Sequence, residues 1–414
     1  MSGQLTNWAG NITFSSDLSR PGSIAELQEL VAAGDHLRVL GTGHSFNRIA
    51  DTTGTLISVA GLPPVVEIDE AGRTVSVAAG LRYGELTAHL QARGLALQNL
   101  GSLPHISVAG ACATGTHGSG DGNGTLASAA SAIEFVGADG ELVRLTRADP
   151  DFAGAVVSLG ALGVVVRLSL DVRPAYEISQ VVYDGLPVGR LGSDFEAIFS
   201  SAYSVSAFTD WLDPQVRVWR KMLAAEATAE PEWLGAVLAD GPRHPIPDMP
   251  ADFATQQGGV PGPWNERLPH FRLEFTPSNG EELQSEYFVP REAAAAAIEA
   301  MRGLGKQLAG LLQISEVRTI AADELWLSPS QGRDTVAFHF TWVRDEAAVL
   351  PVAAAIEEVL LPLGARPHWG KVFAADAAVL RECYPRTGDF IRLMSEYDPA
   401  GKFRNDYLDT YLPR

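Results

Sequence analysis

A glycine turn with a histidine at its tip is the first segment of the chain that could do chemistry. Gly41-Thr42-Gly43 follows a predicted strand and leads into His44 and Ser45. The dinucleotide-binding pattern G-x-G-x-x-G needs a third glycine where this chain has Phe46, and it needs a helix where another strand is predicted. The nucleotide-binding Rossmann fold is therefore not expected. What remains is a tight turn whose backbone amides could bind phosphate.

A second glycine-rich segment covers residues 107–124 and reads SVAGACATGTHGSGDGNG. It has almost no large side chains, so it cannot form a core of its own and must lie against something else. Two amide-rich turns, without a predicted helix N-terminus to bind phosphate, indicate one large ligand that carries phosphate groups. The alternatives at this point are a flexible surface loop for residues 107–124 and a purely structural role for His44.

Polar side chains recur at alternate positions on two predicted strands in the second half of the chain. Glu316 and Arg318 stand two residues apart and point to the same face of their strand, as do His339 and Thr341. Such a set of donors and acceptors suits a flexible neutral ligand with several hydroxyl groups. The alternative for Glu316 and Arg318 is a structural ion pair.

The elements that must position these residues follow from hydrophobic periodicity and turn chemistry. The first part of the chain is predicted to fold as helices at 23–34 and 83–92, strands at 37–40, 55–59 and 164–172, hairpins at 65–78 and 132–145, and a helical stretch from Asp151. The first of these helices begins with a capping box, Ser-Ile-Ala-Glu, and ends at a glycine. A domain boundary is expected near Arg173-Pro174.

The second part of the chain is predicted to be mixed α and β. Strands are expected at 271–275, 314–319 and 335–342, helices at 291–304 and 346–361, and a long excursion rich in proline and glycine at 231–263.

Length and charge exclude several classes of protein. With 414 residues, 46% of them hydrophobic, the chain is long enough for two or three packed domains. It has 31 basic and 50 acidic residues and a net charge of −19, so it repels nucleic acids and anionic membrane surfaces. Cys112 and Cys383 lie far apart and suggest neither a disulfide framework nor a metal site. Because no signal peptide or membrane span is recognised, a cytoplasmic protein is expected.

The glycine segments resemble a known family. GTGHSFN at 41–47, SLPHISVAGACATGTHGSG at 102–120 and LGALGVV at 159–165 are similar to the FAD domain of the vanillyl-alcohol oxidase superfamily. The resemblance continues through the second half, where the motifs are similar to those of the alditol (xylitol) oxidases and aldonolactone oxidases: FTDW at 208–211, VPGPWNERLPHFR at 260–272, ELQSEY at 282–287, HFTWV at 339–343, RPHWGKVF at 366–373 and DPAGKFRN at 398–405.

The resemblance implies an α+β flavoprotein of two domains. Residues 1–175 would form the FAD-binding PCMH-type domain, residues 176–375 a substrate or cap domain with an antiparallel sheet, and residues 376–414 a segment that returns to the first domain.

The resemblance also implies that FAD is bound covalently, through the imidazole of His44. The implied cofactor-binding residues are Gly41, Thr42, Gly43, His44, Ser45, Phe46, Ser102, Ser107, Gly110, Thr114, Gly115, Thr116, Gly118, Val164 and Lys371. For the hydroxyls of Ser107, Thr114 and Thr116, local turn bonds are the alternative.

The implied reaction is oxidation of the terminal primary alcohol of alditols, such as xylitol and sorbitol, to the aldose, with hydride transfer to flavin N5 and reduction of dioxygen to hydrogen peroxide. Glu316 would accept the proton or anchor the hydroxyl, Arg318 would keep Glu316 ionised, and Lys371 would lie near flavin N1. The substrate would be oriented by Ser102, His339 and Thr341. The expected partners are a polyol and dioxygen, and the expected state is a monomer. A sugar-lactone oxidase or dehydrogenase and a noncatalytic flavin-binding protein are the alternatives.

Gly101 departs from the resemblance, because the similar oxidases carry alanine at this position. A glycine beside the flavin would leave dioxygen an open path, which favours an oxidase over a dehydrogenase. The alternative is a backbone turn that needs positive φ at Gly101.

Overall fold

A computed structural model describes residues 5–275 and 281–414 of the chain. Up to residue 175 the strands are β1 (Leu18–Ser19), β2 (Leu37–Val39), β3 (Thr55–Ile57), β4 (Val66–Asp69), β5 (Thr74–Ala78), β6 (Leu95–Ala96), β7 (Ala130–Val136), β8 (Leu142–Thr146), β9 (Val164–Asp171) and β10 (Arg173–Pro174). The helices of this part are α1 (Ile24–Ala33), α2 (Tyr83–Gln91), α3 (Val108–Ala113) and α4 (Phe152–Ala155).

Beyond residue 175 the strands are β11 (Glu177–Pro187), β12 (Ser204–Thr209), β13 (Gln215–Leu223), β14 (Glu232–Trp233), β15 (Ala236–Leu238), β16 (Gly262–Pro263), β17 (Glu282–Pro290), β18 (Leu312–Ile320), β19 (Thr335–Val343) and β20 (Arg366–Pro367). The helices are α5 (Val188–Ser193), α6 (Phe195–Phe199), α7 (Trp264–Arg267), α8 (Ala294–Leu308), α9 (Glu346–Leu360), α10 (Ala377–Cys383), α11 (Thr387–Tyr397) and α12 (Asp406–Tyr411). Within the described ranges, no helix has the length and apolar character needed to cross a membrane.

Two sheets contain most strands of the first part of the molecule, and β6 pairs with β10 as a separate two-stranded sheet. Strands β1, β3 and β2 form a small parallel sheet, and an antiparallel sheet has the order β4-β5-β9-β7-β8. The alternating pattern of β9 buries every second side chain, which is what one solvated face predicts. Helices α10 to α12 pack into the same core as α2, through buried side chains such as Leu380, Phe390 and Leu408.

A large antiparallel sheet dominates the second part, with the order β14-β15-β11-β13-β12-β18-β19-β17-β20 and β16 at the side of β11. Its outer face packs against α8 and α9, where Ile298, Met301 and Ile356 meet Phe338 and Phe340. Burial of these phenylalanines turns the alternate residues of β19 toward the opposite face of the sheet.

The strand register places polar residues side by side on that opposite face. Phe208 lies across from Glu316, Glu316 from His339, and His339 from Glu286, so one row crosses four neighbouring strands. Arg318 and Thr341 are each two residues along their strands from this row and therefore share its face. The sheet thus presents a strip of charged and polar side chains toward the first part of the molecule.

Most of the predicted elements are confirmed, but two expectations were wrong. Residues 271–275 do not form a strand: Phe271 makes only an isolated bridge to Ala254, and the ring of Phe275 packs edge-on against Phe253. Phe271 and Phe275 of the alternating pattern make these local contacts, and the strand that joins the large sheet is β17. Residues 107–124 also contain a short helix, α3, although no helix was expected there.

Candidate active site

A cavity of about 590 Å³ lies between the glycine turn of the first part and the polar strip of the large sheet. Sixteen of the predicted site residues line it: Gly41, Thr42, Gly43, His44, Ser45, Phe46, Ser102, Ser107, Gly110, Thr114, Thr116, Glu316, Arg318, His339, Thr341 and Lys371. The two groups of candidates, far apart in sequence, thus meet at one cavity.

Gly115, Gly118 and Val164 are not part of the cavity wall. Gly118 packs so closely against the carbonyl of Leu100 that an added Cβ would lie 2.3 Å from it. The Val164 side chain is fully buried in a separate core, and its neighbours Gly163 and Val165 line the cavity instead. For Gly118 the structure therefore gives a packing reason for glycine that is independent of any ligand.

His44 is held at the tip of the glycine turn in a defined orientation. Gly43 has a φ of 71°, which a side chain would strain, and its carbonyl accepts a hydrogen bond from the Trp8 amide at 2.8 Å. The imidazole stacks on Trp8, with ring centroids 5.2 Å apart, and its Nδ1 lies 3.0 Å from Thr42 Oγ1. Burial lowers the pKa of His44 to about 4, so the ring is neutral at pH 7 and keeps a nucleophilic lone pair.

The wall around Ser107 fits a group that approaches the backbone closely. Ser107 Oγ is buried without a hydrogen-bond partner in the described residues. A Cβ at Gly41 or Gly110 would lie 2.8 Å or 2.7 Å from this oxygen, closer than such contacts are found. Two glycines therefore keep this space open. The space faces a buried hydroxyl that has no hydrogen-bond partner among the described residues, and a polar ligand bound here would supply one.

Glu286 is the centre of the polar strip, and sequence reasoning missed it. Its carboxylate accepts hydrogen bonds from Arg318 Nη2 and Lys371 Nζ, each at 2.7 Å, and lies 3.1 Å from His117 Nε2. Burial would raise the pKa of Glu286, but Lys371, His117 and Arg318 hold it well below its usual range. Glu286 is thus a fixed negative charge that positions two cations beside the cavity.

Glu316 has a different set of partners. His270 Nε2 lies 2.8 Å from its Oε1, and Arg318 Nε lies 3.5 Å from its Oε2. Burial opposes ionisation here too, but Arg318 and His270 hold the pKa of Glu316 well below its usual range. The expected pairing of Glu316 with Arg318 is present, although the shortest ion pair of Arg318 is with Glu286.

Lys371, His339 and Thr341 form a hydrogen-bonded chain on the same face. Lys371 Nζ lies 2.7 Å from His339 Nδ1, and His339 Nε2 lies 3.2 Å from Thr341 Oγ1. Burial, assisted by the charge of Lys371, lowers the pKa of His339 to about 4. A lysine ammonium can only donate, so Nδ1 is the acceptor and the proton of the neutral ring is on Nε2.

Ser102 and Gly101 bring the first part of the chain to this strip. Arg318 Nη1 donates a hydrogen bond to Ser102 Oγ at 3.3 Å, and the His270 amide donates to the Ser102 carbonyl at 3.0 Å. Gly101 lines the cavity and does not have positive φ, so the alternative that a turn demands glycine here is wrong. A Cβ on Gly101 would make only ordinary contacts, the nearest being 3.5 Å from the His117 carbonyl.

Comparison with known proteins identifies the class of protein that this fold and site define. Residues 18–146 match the FAD binding domain family and residues 278–411 match the D-arabinono-1,4-lactone oxidase family. Cholesterol oxidase from B. sterolicum has the same fold, with a TM-score of 0.79 over 99% of this chain and 96% of that one at 14% identity. The chain is thus an FAD-binding oxidoreductase, and the expected α+β flavoprotein fold is confirmed.

Curated relatives define the family more narrowly. An alditol oxidase from a Streptomyces species is 52% identical over the full length of both chains. An L-gulono-1,4-lactone dehydrogenase from Mycobacterium tuberculosis is 30% identical over 98% of each chain. The protein belongs to the alditol oxidase family.

Proposed function

We propose that the protein oxidises the terminal primary alcohol of alditols, such as xylitol and sorbitol, to the aldose and reduces dioxygen to hydrogen peroxide. The observation that carries this proposal is the single cavity in which a phosphate-type glycine turn faces a strip of buried donors and acceptors. A neutral polyol has several hydroxyl groups, each of which needs a partner once water is excluded. The alditol oxidase from Streptomyces, with 52% identity, supports the same substrate class.

The cofactor in this proposal is FAD, bound covalently through His44. The turn at Gly41 to Ser45 and the wall formed by Ser107 and Gly110 would hold it, while Ser102 and Lys371 would lie at its reactive end. When bound, FAD supplies the hydride acceptor and returns the electrons to dioxygen. The neutral, stacked imidazole of His44 supports the covalent bond because only the unprotonated ring is a nucleophile.

Glu316 and Arg318 position the reacting hydroxyl in this proposal. The low pKa of Glu316 makes its carboxylate a weak base at pH 7 but a permanent hydrogen-bond acceptor. We therefore assign Glu316 as the anchor that accepts the hydroxyl proton in a hydrogen bond, and Arg318, together with Ser102, as the donors to the hydroxyl oxygen. With the hydroxyl held on both sides, the C1–H bond is left to face the hydride acceptor. As the hydride leaves C1, the hydroxyl becomes strongly acidic and its proton would pass along the hydrogen bond to Glu316.

Lys371, His339 and Thr341 would bind the rest of the polyol and balance charge. Glu286 pairs with Lys371 before substrate binds, so the ammonium group can stay charged although it is buried. A lysine held beside the flavin pyrimidine would stabilise the negative charge that a hydride brings to the site. The His339 and Thr341 side chains add a donor and an acceptor for the distal hydroxyls.

A sugar lactone is the second substrate class to test, because residues 278–411 match the D-arabinono-1,4-lactone oxidase family. We also propose a cytoplasmic monomer, in keeping with two cysteines that are both unpaired. The decisive experiment is a panel of polyols and aldonolactones with detection of hydrogen peroxide. Turnover of xylitol or sorbitol with peroxide supports the proposal, turnover of lactones alone favours the second class, and bound FAD without any turnover contradicts both.

A further inference from the structure

A buried lysine outside the cavity contacts His270, the histidine that is paired with Glu316. Lys221 is on β13, 1% exposed, in a row of the sheet beyond Arg318, and it does not line the cavity. Its alternate neighbour Trp219 shares the same face, whereas Arg220 points to the other side and contacts Ser201. A fully buried ammonium is costly unless its hydrogen bonds are satisfied. Lys221 therefore needs a reason that the proposed contacts with substrate do not supply.

The surroundings of Lys221 match an ammonium group with all three protons used. Its Nζ lies 2.5 Å from the Leu268 carbonyl, 3.1 Å from the Pro269 carbonyl and 3.1 Å from His270 Nδ1. The two carbonyls can only accept, an imidazole nitrogen accepts when it carries no proton, and an ammonium group has three donors and no lone pair. The same imidazole then has its other nitrogen, Nε2, 2.8 Å from Glu316 Oε1.

This chain of contacts fixes the proton on the imidazole. Burial lowers the pKa of Lys221 to about 7, against the attraction of Glu316, so the ammonium form predominates below that pH. In this form Lys221 can only donate, so His270 Nδ1 is the acceptor and the single proton of the neutral ring is on Nε2, facing the Glu316 carboxylate. Phe208 and Trp219 contact the ring edge-on at 5.7 Å and 5.2 Å between centroids, which keeps it in this orientation. Burial, assisted by Lys221, lowers the pKa of His270 to about 4, so a neutral ring is expected at pH 7.

We propose that Lys221 is a positioning residue for the reaction: it selects the Nε2–H form of His270, which keeps Glu316 ionised and turned toward the substrate hydroxyl. The inference deepens the proposed function and rests on the role assigned there to Glu316. Without the lysine, His270 can move its proton to Nδ1 and point a lone pair at Glu316. A lone pair that faces the carboxylate raises the pKa of Glu316, so that at low pH Glu316 takes up a proton from solvent, donates it to Nε2 and stops accepting the hydroxyl proton.

The charged groups around this chain are few and come from different elements. Glu316 faces Arg318 on its own strand, His339 on β19 and His270 in the segment after α7, and the charges of Lys221 on β13 and of Lys371 also attract it. His270 faces Lys221, Glu316 and Arg318. Because Arg318 remains in place when Lys221 is replaced, its attraction sets a limit on how far the pKa of Glu316 can rise.

The first test reads the tautomer directly and needs no turnover. The protein with its bound flavin is labelled with ¹⁵N-histidine, and the His270 signals are assigned by their loss in His270→Gln. The wild-type protein should show a protonated Nε2 and an unprotonated Nδ1 at His270, and Lys221→Met should shift the population toward Nδ1–H. A wild-type ring with its proton on Nδ1 would overturn the proposal whether or not the variant folds.

The second test measures anaerobic flavin reduction by xylitol as a function of pH. In Lys221→Met the rate at about pH 5.5 relative to about pH 8 should fall by about threefold or more against wild type, because Glu316 becomes protonated in the variant. Arg220→Met, which removes a buried cation from the adjacent position on the opposite face, should leave that ratio unchanged. In a His270→Gln background, where an amide N–H can face Glu316 regardless of Lys221, Lys221→Met should change the ratio by much less than in wild type, because only the direct attraction between Lys221 and Glu316 is lost.

The two proposals fail in different ways. If wild-type enzyme is not reduced by any polyol, the proposed function is wrong, and the tautomer measurement still decides the assignment of Lys221. If wild type is reduced but Lys221→Met keeps the wild-type ratio of rates, or loses only stability, Lys221 merely ties the Leu268 and Pro269 carbonyls to the sheet and the inference is refuted.

Discussion

Glu286 and Glu316 are two buried carboxylates in the same row of the large sheet, and they differ in which of their oxygens remain free. Glu286 binds Arg318 and Lys371 at 2.7 Å each and is only 1% exposed as a side chain, so its oxygens are occupied by protein. Glu316 has one oxygen at 2.8 Å from His270 and a longer contact to Arg318. The second carboxylate therefore has the capacity to accept a further hydrogen bond from a substrate.

His44→Ala tests the covalent bond to the flavin. We expect acid-precipitated wild-type protein to keep yellow fluorescence on the polypeptide, whereas the variant should release all of its flavin, since the imidazole that forms the bond is absent. Any variant that still binds FAD should be reduced more slowly, because an 8α substituent raises the flavin potential. Release of the flavin from wild-type protein under acid would contradict the assignment of His44.

Glu316→Gln and Arg318→Lys test the pair that anchors the hydroxyl. Either change should lower anaerobic flavin reduction by xylitol by about 100-fold or more, while flavin content stays normal. The glutamine puts a donor where an acceptor is needed, and the lysine replaces a planar two-pronged donor that reaches both Glu286 and Ser102. Reduction at the wild-type rate would show that Glu316 and Arg318 form a structural ion pair and do not anchor the hydroxyl.

Gly101→Ala and Gly101→Val test access of dioxygen. Alanine adds a Cβ at ordinary contact distance, so the fold should be unaffected, while valine should fill the space beside the His117 carbonyl. We expect reoxidation of the reduced enzyme by dioxygen to be fastest with glycine, slower with alanine and slowest with valine. Anaerobic reduction by xylitol should be the same in all three proteins. Stopped-flow traces with the same reoxidation rate in all three proteins would rule out a gating role.

At the scale of elements, the site is made by the register of β12, β18, β19 and β17. One row joins Phe208, Glu316, His339 and Glu286, and a shift of one residue in any of these strands would turn its polar residue into the core beneath α8 and α9. The apolar residues between them, such as Val317 and Phe338, are fully buried and so fix the register. Packing on one face thus positions the chemistry on the other.

Gly110→Ala tests the wall formed by α3 and the glycine turn. The added Cβ would lie 2.7 Å from Ser107 Oγ, so this hydroxyl would have to rotate into the space proposed for FAD. We expect reduced incorporation of flavin, measured as the ratio of flavin to protein absorbance after purification. Gly122→Ala is the matched control, since nothing lies within 4 Å of its Cβ position, and equal losses in both variants would contradict the role of Gly110.

Strands were predicted correctly where apolar and polar residues alternate regularly. The prediction failed at 271–275, where a similar alternation belongs to a loop. Glu316, Arg318, His339 and Thr341 could be placed on one face because β18 and β19 have apolar residues between the polar ones. Glu286 was missed because no strand was predicted over β17, Glu282–Pro290; a strand was expected at 271–275 instead. A single sequence also does not show that His117, His270 and Lys221 come together, because their contacts join segments that are distant in the chain.

At the scale of the whole molecule, buried neutral histidines couple stability to pH. The pKa values of His270 and His339 are lowered by burial to about 4, against about 6.5 in an unfolded chain. Between these values the unfolded state binds more protons than the folded state, so stability falls as the pH is lowered from about 6.5 to about 4. Each such histidine contributes about 1.4 kcal/mol for each pH unit in that window.

The corresponding measurement is the thermal unfolding midpoint of the flavin-bound protein as a function of pH. The midpoint should fall as acid is added below about pH 6.5. The pKa values of Glu286 and Glu316 are lowered in the folded protein, so these carboxylates stabilise the fold while they are ionised. Below about pH 4.3 this stabilisation is progressively lost and should add to the fall of the midpoint. His339→Gln should flatten the slope, because one of the buried neutral rings is removed. A slope unaltered by the His339 change would contradict the neutral, buried state of that ring.

The surface charge of −19 fits a small neutral substrate, because a polyol is neither attracted nor repelled and anionic competitors are kept away. The rate of flavin reduction by xylitol should therefore depend little on ionic strength. A steep dependence on salt would instead indicate a charged substrate.

Rapid mixing of the purified enzyme with xylitol, first without and then with dioxygen, tests the central proposal most directly. Xylitol alone should bleach the flavin absorbance in a saturable reaction, and admitted dioxygen should restore the absorbance with one hydrogen peroxide formed for each xylose. A flavin that stays oxidised with xylitol and sorbitol but is bleached by an aldonolactone, or that is bleached by neither, would contradict the proposal.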